Sequence, residues 1–510
     1  MYFRRAGQQS HPVSVACAFL VLSLSLFCGV SQKQATFTLA VLKLIVDWLT
    51  SESVADIPGE QRQVLQSIPK DYRTLLKHFD LDPRLRTYVC CPSCFALYDD
   101  SSPLSDMCTF RKAPDQPPCA ADLFKTRSIR GVSFKRPIRK YAHQDLRHWV
   151  GRMLSRSDLE ALFEASTSGH TGLLDEIKDI HEAQAIQSLR DIDGNPFLSS
   201  PPEELRLVFS LCVDGFNAFG KKVGGPPASV TGIYLALLSL PIDKHFNPEN
   251  MCLIGVIPGP HKPSEDEINH FLDLLVDDLL QFWEGVKYSR THCYPSGRTV
   301  KAVLVPLVCD VLAARQTGGF VSHNATLFCS LCYLPADRIE DFDEETWPCR
   351  TVEEHRKHAM AWRHAPTLEE KQQLAKEFGL RYSALLRLPY WDPVHFTIVD
   401  SMHALFLRVL PEHIRRAWGV SNNTPCGEGH FSPYFKVPNQ PPDESMVEGF
   451  EKLLDAFKKV NPEKSLSTMK HANLWHMCLE FNLRRSGTSI MLACALVSWV
   501  CHVTLAESNS

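Results

Sequence analysis

LVFSLCVDGFNAFG, residues 207–220, is an apolar run of strand length that ends in one carboxylate, Asp214, followed at once by Gly215. The run VKAVLVPLVCD, residues 300–310, repeats the pattern and ends in Asp310. Between residues 206 and 335, strand-like runs of this kind alternate with helical ones, which predicts an α/β core. If the two runs are neighbouring strands of one sheet, their carboxylates converge at its end.

Converging carboxylates have two interpretations. Two Mg²⁺ ions need hard oxygen ligands on rigid elements for in-line phosphoryl transfer, and Asp214 and Asp310 would supply them. Acids at strand ends also cap turns and helices, and the pattern by itself favours this commoner role. We expect Gly215 to let the chain leave the strand without a side chain that crowds Asp214.

The composition is that of a globular protein without an overall basic field. The 510 residues are 44% hydrophobic and 22% charged, which suits several domains with a large core. The net charge of −4 confines any nucleic-acid binding to local patches. Eighteen cysteines, several of them in Cys-x-x-Cys pairs, favour thiolate metal sites in a reducing compartment over a disulfide framework.

The motif CCPSCFALY predicts a structural Zn²⁺ site. It supplies Cys91 and Cys94, and with Cys108 and Cys119 downstream these residues fit a Cys₄ site. Free buried thiols are the alternative. Cys90 is either a packing cysteine or a substitute for Cys91.

A second Cys-x-x-Cys pair, in SHNATLFCSLC, is two ligands short of a zinc site. Distant histidines would complete a Cys₂His₂ site that ties an inserted helical segment to the core. The predicted set is Cys329, Cys332, His403 and His413, with His323 and His395 as rival ligands.

A basic stretch covers residues 125–156, with ten lysines and arginines against one acid and with aromatic residues interleaved. Such clustered cations contact DNA phosphates, with an affinity that falls as salt rises. A solvated helix face is the alternative interpretation. The candidate DNA-binding residues are Lys125, Arg127, Arg130, Lys135, Arg136, Arg139 and Lys140.

The N-terminal run VSVACAFLVLSLSLFCGV, residues 13–30, has two interpretations. It is typical of a signal peptide or a short membrane anchor. The helical periodicity continues directly into GVSQKQATFTLAVLKLIVDWL, which favours a buried helix in a helical N-terminal region.

Shifts in pattern divide the chain into six regions. They are a helical N-terminal region (1–88), a Cys-rich zinc-ribbon-like module (89–122), a basic and helical linker region (123–205), the α/β core (206–335), a helical insertion with zinc-like ligands (336–420), and a linker with a helical tail (421–510).

From about residue 20 to residue 500, the chain resembles the CACTA-type (En/Spm-like) DNA transposases of mushroom-forming basidiomycete fungi, and eight motifs together carry the resemblance. The motifs are CCPSCFALY, CVDGFNAFG, LALLSLPIDKHFNPENMCLIGVIPGPHKPS, CDVLAARQTGGFVSH, FCSLCYLP, EEHRKHAMAWRHA, LLRLPYWDPVHFTIVDSMHALFLRV and LWHMCLEFNLRRSGT. The resemblance also favours the buried-helix interpretation of the N-terminus.

The resemblance implies a ribonuclease H-like catalytic core with a DDE-type metal site. Asp214 and Asp310 would be its first two acids, and Cys329, Cys332 and His403 would belong to a zinc-like insertion. The implied chemistry is Mg²⁺-dependent cleavage and transfer of DNA strands. The implied partners are transposon ends, target DNA and further copies of the chain, and the implied location is the nucleus rather than a membrane.

The third acid of the family is expected to be a glutamate on a helix beyond the insertion. Asp400, in VDSMHAL, matches a family motif acid but is not the expected metal ligand. The last dozen residues lose the family pattern, which fits a truncated or mispredicted reading frame with an incomplete catalytic set. Two alternatives therefore stay open: a DNA- or protein-binding derivative without catalysis, and a membrane or secreted protein with an N-terminal signal.

Overall fold

A computed structural model of the chain describes most of its residues and divides it into two units, Met1–Phe406 and Leu407–Ser510. The described residues are 11–51, 64–100, 105–129, 132–167, 179–199, 201, 203–217, 229–264, 266–416, 418, 451–453, 455–481, 483 and 488–507. Arg130, one of the candidate DNA-binding residues, lies outside them.

The first unit is built on one mixed sheet of nine strands in the order β11-β10-β6-β7-β8-β5-β1-β2, with β9 paired to β10. A separate hairpin consists of β3 and β4. The strands are β1 Leu85–Cys90, β2 Leu97–Asp99, β3 Phe124–Ile129, β4 Val132–Pro137, β5 Arg139–Gln144, β6 Glu204–Asn217, β7 Ser229–Leu237, β8 Met251–Ile257, β9 Val286–Tyr288, β10 Arg298–Cys309 and β11 Thr397–Val399.

Strand directions define the centre of this sheet. β6, β7 and β8 form an antiparallel meander. β10 pairs in parallel with β6, and β11 pairs in parallel with β10. β6 and β10 are almost wholly buried along their apolar runs, as strands covered on both faces are. Three parallel strands therefore end at the same edge of the sheet.

The sheet extends beyond the predicted core region. β5, from the basic stretch, pairs with β8 on one side and with β1 on the other. The basic stretch thus begins as strands rather than as a solvated helix face. β6 also corrects an expectation, because it continues through Gly215, which pairs with Thr231, as far as Asn217. The prediction that the chain leaves the strand at Gly215 is wrong.

Helices cover the sheet and fill the connections. In the first unit they are α1 Pro12–Phe27, α2 Gln32–Ser51, α3 Tyr72–His78, α4 Leu146–Met153, α5 Glu160–Thr167, α6 Gln184–Gln187, α7 Asn269–Glu284, α8 Val311–Gly318, α9 Val352–His364, α10 Leu368–Phe378 and α11 Pro393–Phe396. A π-helix, Met402–Val409, follows β11. The second unit contains α12 Leu410–Arg416, α13 Pro462–Ser467, α14 His471–Glu480 and α15 Ser489–Glu507.

α7 is the main helix packed on the sheet. Its apolar face is buried through Phe271, Leu275 and Leu279 at helical spacing. The carboxylate of Asp278, also buried, accepts hydrogen bonds from Arg86 at 2.6 Å and from His143 at 2.9 Å. Because Arg86 and His143 lie on β1 and β5, this network joins α7 to the N-terminal strands of the sheet.

Residues between β10 and β11 form a helical insertion made of α8 to α11. Arg356 of α9 donates hydrogen bonds to the carbonyl oxygens of Leu386 and Trp391, at 2.8 and 2.7 Å, and Trp391 is fully buried. Charge-assisted hydrogen bonds to buried carbonyl groups fix the end of the insertion. The chain is thereby returned to the sheet edge, where β11 adds beside β10.

The N-terminal helices form a small cluster of their own. α1 buries Cys17, Ala18 and Val21 against Leu39 of α2 and Leu75 of α3. The apolar run at residues 13–30 is thus largely the helix α1. Within the described part of the chain, no helix combines the length and the apolar character needed to span a bilayer.

The second unit has a separate apolar core. It is formed by α13, α14 and α15, with Leu466, Leu474, Cys478 and Leu496 buried.

Candidate functional site

Asp214 and Asp310 lie level with each other on neighbouring parallel strands. Leu307 of β10 pairs with Leu211 of β6, and each acid comes three residues later in the chain, Asp214 within β6 and Asp310 directly after the end of β10. Lower in the same pair, Leu304 is opposite Phe209, so the register shifts by one residue between Leu304 and Leu307. Without that shift, Asp310 would lie beside Gly215 instead of Asp214.

The shift has a local cause in β10. Pro306 falls inside it and has no N–H to donate to the ladder. The N–H of Leu304, two residues earlier, donates to the hydroxyl of Tyr390 in the insertion, at 2.9 Å. Both irregularities allow an extra residue in one strand, as in a β-bulge.

Asp400 stands at the same edge. Cys309 pairs with Val399 of β11, and the N–H of Asp400 donates to the carbonyl oxygen of Cys309 at 2.9 Å. Asp400 is therefore level with Asp310, as Asp310 is with Asp214. Asp310 and Asp400 directly follow β10 and β11, and Asp214 lies near the end of the adjacent parallel strand β6.

The three carboxylates differ in what their oxygens already bind. Asp310 caps α8, because its Oδ1 accepts the N–H of Ala313 at 2.7 Å. The interpretation of a strand-end acid as a helix cap therefore holds for Asp310. Oδ2 of Asp310, and both oxygens of the exposed Asp214, have no partner among the described residues. Oδ1 of Asp400 accepts the N–H of Met402 at 2.8 Å.

His403 faces this group of acids. Its Nδ1 lies 2.6 Å from Oδ2 of Asp400. That hydrogen bond raises the pKa of His403, and the charges of Asp400, Asp214 and Asp310 raise it further. The imidazole is thus within electrostatic reach of all three carboxylates. Sequence reasoning had assigned His403 to the second zinc-like site instead.

Lys262 brings a cation to the same edge. Nζ of Lys262 lies 2.8 Å from the position that a Cβ atom of Gly215 would take, on the face of the sheet that Gly215 shares with Thr231 and opposite to the face of the Asp214 side chain. Gln316 of α8 holds the lysine loop by donating to the carbonyl oxygens of Pro263 and Ser264, at 3.0 and 2.8 Å. Lys262 is exposed and has no ion-pair partner among the described residues.

Four of the predicted zinc ligands come together in the N-terminal module. The ligand atoms of Cys91, Cys94, Cys108 and Cys119 all lie within 4.8 Å of one another. Among the described residues, no other group of three or more His, Cys, Asp or Glu side chains meets that distance. The acids at the sheet edge are level, but their oxygens are more widely spaced than these sulfur atoms.

Cys90 is separate from this group. Its thiol points to the carbonyl oxygens of Cys91 and Phe95, and burial raises its pKa to about 12. In contrast, the thiol of Cys94 and the N–H groups of Cys94 and Ser93 lower the pKa of Cys91 to about 4. Cys91 thus belongs to the sulfur group, and Cys90 is the packing cysteine.

The second predicted zinc site is not assembled among the described residues. Arg350 donates to the carbonyl oxygens of Cys329 and Cys332, at 3.0 and 3.2 Å. The backbone of Cys332 forms an isolated antiparallel β-bridge with that of Cys349, and both thiols are free. His403 lies with the acids, and the rival His395 pairs with Asp392 at 2.7 Å. The other rival, His323, joins no such group, and His413 belongs to the second unit. Zinc at this pair stays a prediction.

The basic candidates fall into two sets. Lys125 and Arg136 are paired across the β3–β4 hairpin, and both are exposed along with Arg127. None of these three has an ion pair among the described residues. The other described candidates are engaged elsewhere: Lys135 with Asp106 and Lys140 with Asp100, both at 2.6 Å, and Arg139 over the ring of Phe95.

Residues 179–348 match the family model described as Transposase family tnp2. The match covers about a third of the chain and supports a transposase family. It includes β6 to β10, and so both Asp214 and Asp310. No curated protein matches the chain significantly.

Asp400 and Lys262 were not assigned to the site from the sequence. A signal for Asp400 was present, because FTIVD repeats the pattern of an apolar run followed by an acid. Its strand has only three residues, too few for a periodicity to be evident. No comparable sequence pattern marks Lys262, because its position depends on the conformation of the loop after β8.

Proposed function

We propose that the chain is a CACTA-type, DDE-type transposase whose core is ribonuclease H-like and cleaves and transfers DNA strands. The fold part of the proposal is supported by the strand order β11-β10-β6-β7-β8, with an antiparallel meander and two parallel additions. The functional part is supported by the match to a transposase family over the same strands. The observation that carries it is the alignment of Asp214 with Asp310.

The donor atoms at the sheet edge suit Mg²⁺. Asp214 offers two oxygens and Asp310 offers Oδ2, all without described partners, and carboxylate oxygens are the ligands that Mg²⁺ prefers. Asp214 and Asp310 would hold the metal, and Asp400 is the nearest candidate for a third acid. Bound Mg²⁺ would activate the attacking oxygen and stabilise the leaving oxygen of a phosphodiester.

Other groups of the protein would orient the metal ligands and bind the DNA. α8 keeps Asp310 in place through the bond from Ala313, so the carboxylate reaches the site already oriented. The ammonium group of Lys262 would attract a DNA phosphate to this edge of the sheet. The exposed cations Lys125, Arg127 and Arg136 would contact the duplex outside the site.

The proposal also covers the substrates, the cellular location and the oligomeric state of the protein. The substrates are transposon ends and target DNA, which a DNA transposase meets in the nucleus. Paired ends also require several copies of the chain, so we propose a homo-oligomer.

The test is nicking of supercoiled plasmid DNA by the full chain in Mg²⁺ or Mn²⁺, together with Mn²⁺ binding measured by calorimetry. We expect Asp214→Asn and Asp310→Asn each to lower nicking on the order of 100-fold or more, because a metal ligand loses its charge. Asparagine also caps helices, so Asp310→Asn should keep α8 intact.

Asp71→Asn is the matched control. Asp71 caps α3 with the same bond, from the N–H of Thr74 at 2.9 Å, in the separate N-terminal helical cluster. Equal nicking by the two site variants and the wild type would overturn the proposal.

A DNA-binding derivative without catalysis is the second candidate. It is favoured by one observation: both oxygens of Asp400 already have partners, in Met402 and His403. In that case the chain binds duplex DNA, but Mn²⁺ binding and nicking are both absent from the wild type.

A further inference from the structure

We infer that Cys91, Cys94, Cys108 and Cys119 bind one structural Zn²⁺ ion, and that this ion holds the loop of residues 109–118 against both the core and the helical insertion. The loop lies between the third and fourth ligands, so the ion closes it at its base. This inference does not depend on the proposed nuclease activity.

The spacing of the sulfur atoms fits a tetrahedral zinc ion. Sγ of Cys94 lies 3.5 Å from Sγ of Cys108, and Sγ of Cys91 lies 3.8 Å from Sγ of Cys119. Four sulfurs at the usual Zn–S distance of about 2.3 Å are separated from one another by about 3.8 Å. A disulfide would need about 2.05 Å, so these thiols are spaced for a shared ion rather than for oxidation.

The backbone is also shaped around the sulfur atoms. Phe95 directly follows Cys94 and Ala120 directly follows Cys119, and both have positive φ, at 61° and 53°. Residues other than glycine rarely adopt this conformation unless their surroundings require it. In addition, the N–H of Ser93 points at Sγ of Cys91 from 3.4 Å, as a donor that favours the thiolate form.

Apolar packing in the module is limited. In the apolar cluster around the sulfur atoms, the buried residues other than cysteine are Val89, Ala96 and Leu123, while Phe95 packs into the main core. A core of this size is small for a loop-rich segment, and such segments commonly need a metal or disulfides to fold. A Zn²⁺ ion bound by the four sulfur atoms would supply such a cross-link.

The loop reaches two other parts of the first unit. On α7, the ring of Phe110 contacts the ring of His270 edge-on at 4.6 Å, and next to that helix Lys112 lies 3.6 Å from Glu267. In the insertion, Lys371 donates to the carbonyl oxygen of Lys112 at 2.9 Å.

A further bond runs from the N–H of Asp115 to the carbonyl oxygen of Pro366, at 3.3 Å. The loop therefore bridges α7 and the turn between α9 and α10. Loss of the ion would free the base of this bridge.

The first test is metal content and coordination in the full chain. Cys94→Ser and Cys119→Ser should each contain one zinc ion fewer per chain than the wild type, and Co²⁺ substitution should give the absorption of a tetrahedral thiolate site. Cys90→Ser is the matched control, because Cys90 is buried next to Cys91 but outside the sulfur group. Equal zinc in the wild type and in both site variants would overturn the inference.

The second test separates the bridge from a purely local role. Zinc removal by a chelator should speed hydrogen exchange at residues 109–118 and 366–371, with no change in α1 to α3. Faster exchange confined to residues 91–100 would contradict the bridge. This measurement uses the wild-type chain, so it does not depend on whether a cysteine variant folds.

Discussion

The N–H of Asp400 donates to the carbonyl oxygen of Cys309, at 2.9 Å, and so aligns Asp400 with Asp310, which directly follows the neighbouring strand. Asp214 is aligned with Asp310 on its other side. The three acids differ in origin, because Asp400 returns to the sheet only after the helical insertion. Replacing Asp400 therefore tests most directly whether the site uses two acids or three.

We predict that Asp400→Asn lowers metal-dependent nicking about as much as Asp310→Asn does. Asparagine keeps an oxygen that can accept the N–H of Met402, so the free energy of unfolding should change by less than about 1 kcal/mol. Nicking and thermal unfolding of the same preparations provide the measurement.

Asp392 offers a matched control for that variant. It caps α11 and pairs with His395 at 2.7 Å, in the same i, i+3 arrangement as Asp400 and His403. Asp392→Asn should leave nicking unchanged. If Asp392→Asn and Asp400→Asn have the same effect, the role of Asp400 is structural only.

Lys262→Met should weaken nicking through a higher KM for DNA, because a cation at the edge of the sheet is lost. The lysine is exposed, so the stability of the chain should stay within about 0.5 kcal/mol of the wild type. Lys287→Met is the control, since Lys287 is an exposed lysine paired with Thr299, near the opposite end of β10. Equal KM values for the two variants would contradict a role for Lys262.

The β3–β4 hairpin should contribute to DNA affinity through its unpaired cations. Replacing Lys125, Arg127 and Arg136 by glutamine should weaken binding of duplex DNA at low salt. Each lost phosphate contact lowers the slope of log K against log salt by about 0.9. Fluorescence anisotropy over a salt series measures both effects.

The paired cations of the same region provide the comparison. Lys135 and Lys140 already pair with Asp106 and Asp100. Their replacement by glutamine should change the salt slope less than the hairpin triple does. A larger effect from the paired set would locate the DNA contact away from the hairpin.

His355, in the insertion, should make the chain sensitive to acid. Burial, followed by the charges of Arg350, Arg356 and His358, lowers the pKa of His355 to about 3. The unfolded chain takes up a proton at this residue near pH 6.5, whereas the folded chain does not. Stability contributed by neutral His355 is thus full above pH 6.5 and falls by up to about 1.4 kcal/mol per pH unit below it.

Denaturant unfolding at pH 7 and pH 5 tests the sign of that change. The loss of stability between the two values should be smaller in His355→Leu than in the wild type. An identical loss in both chains would show that other groups govern the acid response.

The sequence predicted those elements whose pattern lies within one short segment of the chain. The apolar runs at residues 207–213 and 300–309 became β6 and β10, because long apolar runs bounded by polar residues suit buried strands. The spacing of Cys91 and Cys94 likewise places both sulfurs at one turn. The prediction failed at Gly215, where pairing with Thr231 extends the strand beyond the apolar run.

The sequence by itself thus determined which residues can act: the acids after the apolar runs, the four clustered cysteines and the basic stretch. Tertiary structure alone decided their alignment. A one-residue shift in β10 brings Asp310 beside Asp214, and an insertion anchored by Arg356 returns Asp400 to the same edge. The reason is physical, since strand register and the return of a distant segment depend on contacts between residues far apart in the chain, which no local pattern encodes.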